Sequence, residues 1–385
     1  MKKILSLFLC LVILGSFVAC GGDNTSTDSM TGSDTNGGTN TDSGSTNTSS
    51  QSGTVGDNPE TAVVFDETME HKFLATDITS HGLVVYDLNL CDGDYSKLTD
   101  DSCIVWEWDP EEDINCKKRS NIGIGIDAAK YRYSAYYEKD VIVACSSAGW
   151  AGVIDYEAKT VLWEANIGRG PHEVEMLPNG DVVVACSSDP GALVYVPLSA
   201  GVKTEVSSIP SLYCHGVNWD PENECLWVLE DRGVYAAVIQ NMGTKNGKIV
   251  RVKGSEVYFA NAEAGGHAFS PVYGEPGFYW AASGGRLWKY NAAEGTITKS
   301  YNRSGTLTKA AIKGVAYFAD GTMVQSIAQI CGNSTQEWSS DGLRIITREW
   351  SAGKLKVAKD IVTVVKFEPS HREFYKVHPF NKNYQ

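Results

Sequence analysis

The sequence predicts an all-β fold, a six-bladed β-propeller, on three observations. A strand motif returns at intervals of about 40 to 58 residues, the span of a four-stranded blade. Each return is followed by the same order of turns and strands. Two incomplete sets of strands, one at each end of the chain, add up to one more unit. The alternative is seven blades.

The motif reads RYSAY at Arg132, HEVEM at His172, HGVNW at His215, HAFSP at His267, KGVAY at Lys313 and HREFY at His371. A turn rich in Pro, Asn, Asp and Gly follows most copies, for example Pro178–Asp181, Gly274–Gly277 and Ala319–Gly321. A second strand comes next, such as Val141–Ser147 (VIVACSS), Val182–Ser188 (VVVACSS) or Phe278–Ser283 (FYWAAS). A third strand follows a Gly-containing loop, as in Gly152–Tyr156, Ala192–Val196 and Arg286–Tyr290. The fourth is more polar, as in Thr160–Glu164 and Thr296–Ser300. Continuous apolar inner strands and a mixed outer strand fit sheets covered on both faces whose outer edge meets water. Five units run from about 129 to 367. Strands at Lys72–Asp77, Leu83–Leu88 and Ile104–Trp108 lack a first strand, and His371–Phe380 is a first strand without followers. Joined, they close the ring and leave no blade edge open.

The ends read differently. Lys2 and Lys3 precede an apolar run, Ile4–Leu14, of signal-peptide length. Residues 20–58 are almost all Gly, Ser, Thr, Asn and Asp, too polar to offset chain entropy, and read as a disordered tether. The expected division is 1–19 signal peptide, 20–58 tether and 59–385 propeller. A net charge of −14 argues against nucleic acid, which needs a broad basic surface. There is no CxxC. Cys145 and Cys186 stand at matching places and read as free core thiols. Cys91, Cys103 and Cys116 lie close enough for one disulfide among them in an oxidising compartment.

If the copies are equivalent, Arg132, His172, His215, His267, Lys313 and His371 ring one mouth of the central channel. The loops between second and third strands open on the same face. They bring Trp150, Asp189, Arg232, Arg286 and Gln325. A cationic ring inside an acidic protein suits a small anion, whose charge would also raise the pKa of each imidazole. Trp150 would stack on a sugar face. Three imidazoles from consecutive blades, His172, His215 and His267, also suit a divalent metal with one open position. The expected function is binding of a small anionic ligand, an acidic sugar or oligosaccharide, by a monomer. One alternative is an enzyme on the same site, with His172 as base or nucleophile. Another is a protein-interaction scaffold. No G-x-S-x-G, H-E-x-x-H or P-loop is present.

Three stretches resemble known families. Gly15–Gly22 (GSFVACGG) resembles the lipobox of bacterial lipoproteins. The resemblance implies cleavage before Cys20, its lipidation, and anchoring in the cell envelope, with the outer membrane as the expected location. Val161–Glu164 (VLWE), followed by Gly170–Ala185 (GPHEVEMLPNGDVVVA), resembles the blade signature of arylsulfotransferase-like propellers. In that family a channel His takes the sulfuryl group, and His172 holds the matching position. The family shows paired His followed by Asp, where this chain has Pro171, His172 and Glu173. The repeats are also similar to NHL and gluconolactonase-type propellers. As a whole the chain resembles propeller lipoproteins of Bacteroidota.

Overall fold

The computed structural model describes residues 70–188, 190–260, 264–283, 286–301, 311–349 and 359–385. The expected leader, Cys20, most of the region before β1 and Asp189 lie outside these residues.

Period-two alternation with an apolar residue at nearly every step gives strands that bury both faces. The chain begins with β1 (Lys72–Asp77), β2 (Gly82–Asp87) and β3 (Ile104–Trp108). The first complete blade holds β4 (Ala128–Ser134), β5 (Lys139–Cys145), β6 (Trp150–Asp155) and β7 (Thr160–Asn166). The second holds β8 (Pro171–Met176), β9 (Val182–Cys186), β10 (Ala192–Val196) and β11 (Ser207–Pro210). The third holds β12 (Gly216–Asp220), β13 (Cys225–Glu230), β14 (Gly233–Gln240) and β15 (Lys248–Arg251), with β16 (Val257–Tyr258) also paired to β14. The fourth holds β17 (Gly266–Pro271), β18 (Phe278–Ser283), β19 (Arg286–Asn291) and β20 (Thr296–Tyr301). The fifth holds β21 (Ile312–Tyr317), β22 (Met323–Ile327), β23 (Gly342–Glu349) and β24 (Lys359–Lys366). Last comes β25 (Phe374–Pro379), which pairs with β1 and makes the sixth sheet, in the order β25-β1-β2-β3.

The protein is therefore a six-bladed β-propeller, closed by strands from both ends as the sequence predicts. The innermost strands β4, β8, β12, β17, β21 and β25 contact one another in a ring. Six apolar clusters fill the spaces between neighbouring blades, one to each interface. The inner strands crowd near the axis. A Cβ on Gly314 would lie 2.2 Å from the Val377 nitrogen, and one on Gly216 would lie 2.4 Å from Phe269 Cβ. No larger residue fits at either place.

Register corrects the sequence reading at two positions. Ala128 stands opposite Cys145 as Pro171 stands opposite Cys186. Arg132 then falls opposite Val141, as Met176 falls opposite Val182, at the far end of the inner strand. Arg132 is thus not the counterpart of His172. The RYSAY stretch resembles the other copies in composition but starts about one turn of the pattern too late. His371 precedes its strand by three residues, because β25 starts at Phe374.

Candidate functional site

Four of the six expected ring residues come together: His172, His215, His267 and Lys313. They sit at or just before the starts of β8, β12, β17 and β21, where three of these strands carry an irregular register. The His172 and His215 rings lie 4.6 Å apart between centroids, and His215 and His267 lie 4.7 Å apart. The Lys313 ammonium is 3.1 Å from His267 Nε2 and 5.7 Å from the centre of the Tyr375 ring. The Tyr375 ring is 6.3 Å from that of His172. Asp127 Oδ1 lies 3.8 Å from His172 Nε2 and completes the circle. The ring is therefore Asp127, His172, His215, His267, Lys313 and Tyr375, one residue from each blade.

A backbone device sets the imidazoles. Two residues before each His the chain takes a left-handed conformation: Gly170 (φ 59°), Tyr213 (φ 54°) and Gly265 (φ 82°). Glycine adopts this freely, whereas a bulky residue such as Tyr213 does so at a cost of about 1–2 kcal/mol. The turn aims the Gly170 carbonyl at His172 Nδ1 and the Tyr213 carbonyl at His215 Nδ1, each at 2.9 Å. A carbonyl only accepts, so in both rings Nδ1 carries the proton and Nε2 is left as an acceptor. Ser187 Oγ shares the His172 Nδ1 proton at 2.7 Å. His267 is held otherwise. The Lys313 ammonium donates to its Nε2, so its proton sits on Nδ1, which is buried with no partner.

Burial lowers the pKa of His172, an effect that Asp127 partly opposes. Burial lowers His215 well below the usual value, helped by its two neighbouring rings, and does the same to His267, helped by Lys313. All three are neutral near pH 7. Burial raises the Asp127 carboxyl, and His172 pulls it back.

Beneath the ring the channel is filled by paired charges. Lys376, fully buried, donates to the carbonyls of His172 (2.7 Å) and His215 (2.8 Å) and to Glu173 (3.0 Å). Lys130 reaches Glu175 at 3.3 Å, Asn218 at 3.0 Å and the Val217 carbonyl. Arg132 holds Glu175 in a two-pronged bond of 2.8 and 3.0 Å. Burial pushes the Glu173 carboxyl up, but Lys376, His378 and Lys130 together outweigh it and hold it at about 2. The C-terminal tail seals the far end. Arg132 donates to the Asn381 carbonyl at 2.9 Å and lies over the Tyr384 ring, and the Tyr384 hydroxyl donates to the Met176 carbonyl at 2.8 Å.

Other expected site residues stand elsewhere. His371 is exposed and pairs with Asp101 at 3.1 Å. Trp150 is wholly buried, stacks on Trp108 and donates its indole N–H to Glu164, so it cannot face a ligand. Gln325 is buried within its sheet and accepts from Arg344. Arg232 is exposed and pairs with adjacent Asp231 at 3.3 Å. Arg286 starts β19, opposite Ser283. The expected metal set does converge, but among the described residues no group of three His, Cys, Asp or Glu is arranged to hold a metal ion. Lys313 occupies the His267 lone pair a metal would need. Cys145 and Cys186 are free buried thiols, as expected.

Sequence reasoning missed Asp127, Tyr213, Tyr375 and Trp338. Trp338 packs edge-on against Tyr375, with ring centres 5.3 Å apart, on the loop after β22. One signal was readable: a residue two before each His that must take positive φ, Gly in two of three copies.

Residues 95–359 match the family described as Family of unknown function (DUF6528). Among curated proteins nothing matches. A protein of unknown function from Bacteroides caccae is similar at 14% identity and a TM-score of 0.46, over 81% of this chain and 99% of that one. Hydrazine synthase of Kuenenia stuttgartiensis is similar at 13% identity and a TM-score of 0.39, over 60% of this chain and 64% of that one. The dihydro-heme d1 dehydrogenase NirN, in complex with DHE, is similar at 16% identity and a TM-score of 0.40, over 78% of this chain. This chain spans just over half, 55%, of the NirN chain and under two thirds of the hydrazine synthase chain.

Proposed function

We propose that this chain, which belongs to the DUF6528 family, binds a small anionic, hydroxyl-rich ligand, an acidic sugar or oligosaccharide, at the His and Lys mouth. One observation carries the reading. The Lys313 ammonium brings positive charge to the mouth beside His267, and the His267 Nδ1–H, on the other side of that ring, has no acceptor in the protein. An unmet buried donor costs about 1–3 kcal/mol, recovered when a ligand oxygen reaches it. The other two rings present Nε2 acceptors, which suit hydroxyl groups. Donors on one side and acceptors on the other fit a carboxylate-bearing sugar better than a bare inorganic anion.

The test is calorimetric titration of the full-length protein with galacturonate, glucuronate, galactose and sulfate. Hexuronates bind, galactose does not, and Lys313→Met weakens hexuronate binding at least about tenfold, the worth of one charge-assisted hydrogen bond. Absence of hexuronate binding, or equal binding by Lys313→Met, overturns the reading.

The contact between Asp127 and His172 favours a second reading, an enzyme in which neutral His172 takes a proton from bound ligand in lyase chemistry or attacks a sulfuryl group. There His172→Ala abolishes product while affinity survives. A co-purifying protein partner, unaffected by either variant, would instead mark a scaffold. Anchoring at the outer membrane through Cys20 belongs to the same proposal. Its check is fatty-acid labelling that Cys20→Ser abolishes.

A further inference from the structure

We infer that Cys91 and Cys103 form a structural disulfide that staples the insertion on the closing blade. β2 and β3 are neighbours in the sixth sheet, yet 16 residues (88–103) separate them. This insertion contains two short 3-10 helices, Leu88–Cys91 and Tyr95–Asp100. Cys91 ends the first helix. Cys103 stands just before β3, and its carbonyl accepts from the Asp87 amide at 2.8 Å, so it marks the base where the insertion leaves the sheet. The two sulfurs lie 2.7 Å apart, and both side chains are fully buried. They sit in the apolar cluster shared by the fifth and sixth blades, with Leu88 and Leu98.

The surroundings assign a structural role over a catalytic one. Reactive cysteines sit in partly exposed, electropositive places that lower the thiol pKa. Here burial pushes the Cys91 thiol well up, and the neighbouring Cys103 sulfur adds to it. Folded, Cys91 holds almost no thiolate and, fully buried, exchanges slowly. The bond must form earlier, while the chain is still open. A thiolate of one cysteine attacks a disulfide-bearing oxidant and releases one thiolate of that oxidant. The second cysteine then attacks the mixed disulfide and releases the other. Two protein thiols become one disulfide, and their two protons end on the two thiols as which the oxidant leaves. Such a bond persists only outside a reducing cytosol. The sequence expectation of one disulfide among Cys91, Cys103 and Cys116 narrows to one pair. The Cys116 sulfur turns instead toward Glu164, at 3.8 Å.

The test uses full-length protein unfolded with reductant, refolded in a mixture of oxidised and reduced glutathione, and alkylated in denaturant. Trypsin cuts after Lys97 and a glutamate-specific protease after Glu107, Glu111 and Glu112, which parts Cys91, Cys103 and Cys116, so the bond appears as the Cys91 and Cys103 peptides joined and lighter by two hydrogens. Cys116, Cys145, Cys186, Cys214, Cys225 and Cys331 appear alkylated. Dithiothreitol lowers the Tm of the refolded wild type by on the order of 5 °C, as expected for closing a short loop, and does not change that of Cys103→Ala. Full alkylation of Cys91 and Cys103 after oxidative refolding, or a bond from either to Cys116, overturns the inference. The peptide map stands on the wild-type chain alone, whether or not Cys103→Ala folds.

Discussion

The channel mouth and the channel interior use the same residue types in opposite ways. In the interior, Lys130, Arg132 and Lys376 each meet a carboxylate or a backbone carbonyl, and Glu173 and Glu175 are answered from two or more sides. At the mouth the imidazoles are held neutral, one buried N–H has no partner, and a bulky residue is kept in a strained backbone conformation. Paired charge builds the axis. The mouth instead keeps one buried donor without a partner, the His267 Nδ1–H, and one strained residue, Tyr213, features that under the proposed function a ligand would use. The two regions are joined by Lys376, whose ammonium grips the carbonyls of His172 and His215 from below.

The largest effect is expected from breaking the interior. Lys376→Met removes the ammonium that answers Glu173 and leaves a buried carboxylate short of partners, a loss on the order of 3–5 kcal/mol. Urea unfolding reads it as a lower midpoint with unchanged slope. Lys376→Met with Glu173→Gln recovers part of the loss, because the orphaned charge goes too. A single-variant loss below about 1 kcal/mol would show that the column is wet and that the pairing argued for it is wrong.

Much of this contrast was legible in the sequence, and the rest was hidden by register. Blade number, ring closure from both ends, and the convergence of His172, His215, His267 and Lys313 follow from repetition alone, since copies of a unit place like residues alike. Arg132 and His371 defeated the same logic. Each stands in a segment of the right composition shifted along its strand, and a shift of a few residues moves a side chain from one mouth to the other, or off the ring. Asp127 and Tyr375 hold the ring positions in those blades but share no chemistry with histidine, so no motif search joins them. Trp150 misled because an aromatic in a mouth-side loop looks like a platform until its burial is known.

A middle-sized effect separates the regions by pH. His172, His215, His267 and His378 are all harder to protonate in the fold than in the unfolded chain, and for each the first cause is burial. Below the unfolded value near 6.5, the unfolded chain takes up protons that the folded one refuses. Stability therefore rises with pH in that window and falls as pH drops, by up to about 1.4 kcal/mol per pH unit for each ring. For His378 the window ends at about 4. Glu173, held at about 2, adds its loss only below its unfolded value near 4.5. Tm measured from pH 7 to 5 thus reports the imidazoles before the carboxylate. His215→Gln removes one proton from the slope, and saturating galacturonate flattens it, because a bound anion draws the ring values back up. A Tm unchanged from pH 7 to 5 would mean the rings are not held neutral.

The smallest effect tests where the ring ends. His371 and Asp101 form an exposed pair, with the His side chain 47% accessible. Such a pair contributes about 0.2–1 kcal/mol, less in salt. His371→Ala should shift the unfolding midpoint within that range and leave galacturonate affinity where it was, while Lys313→Met does the reverse. The two residues both begin matching motifs in the sequence, and they differ in where register puts them. Equal losses of affinity in the two variants would return His371 to the mouth and dismiss Tyr375 from it. The strand start at Phe374, on which the exclusion of His371 rests, would then be misplaced.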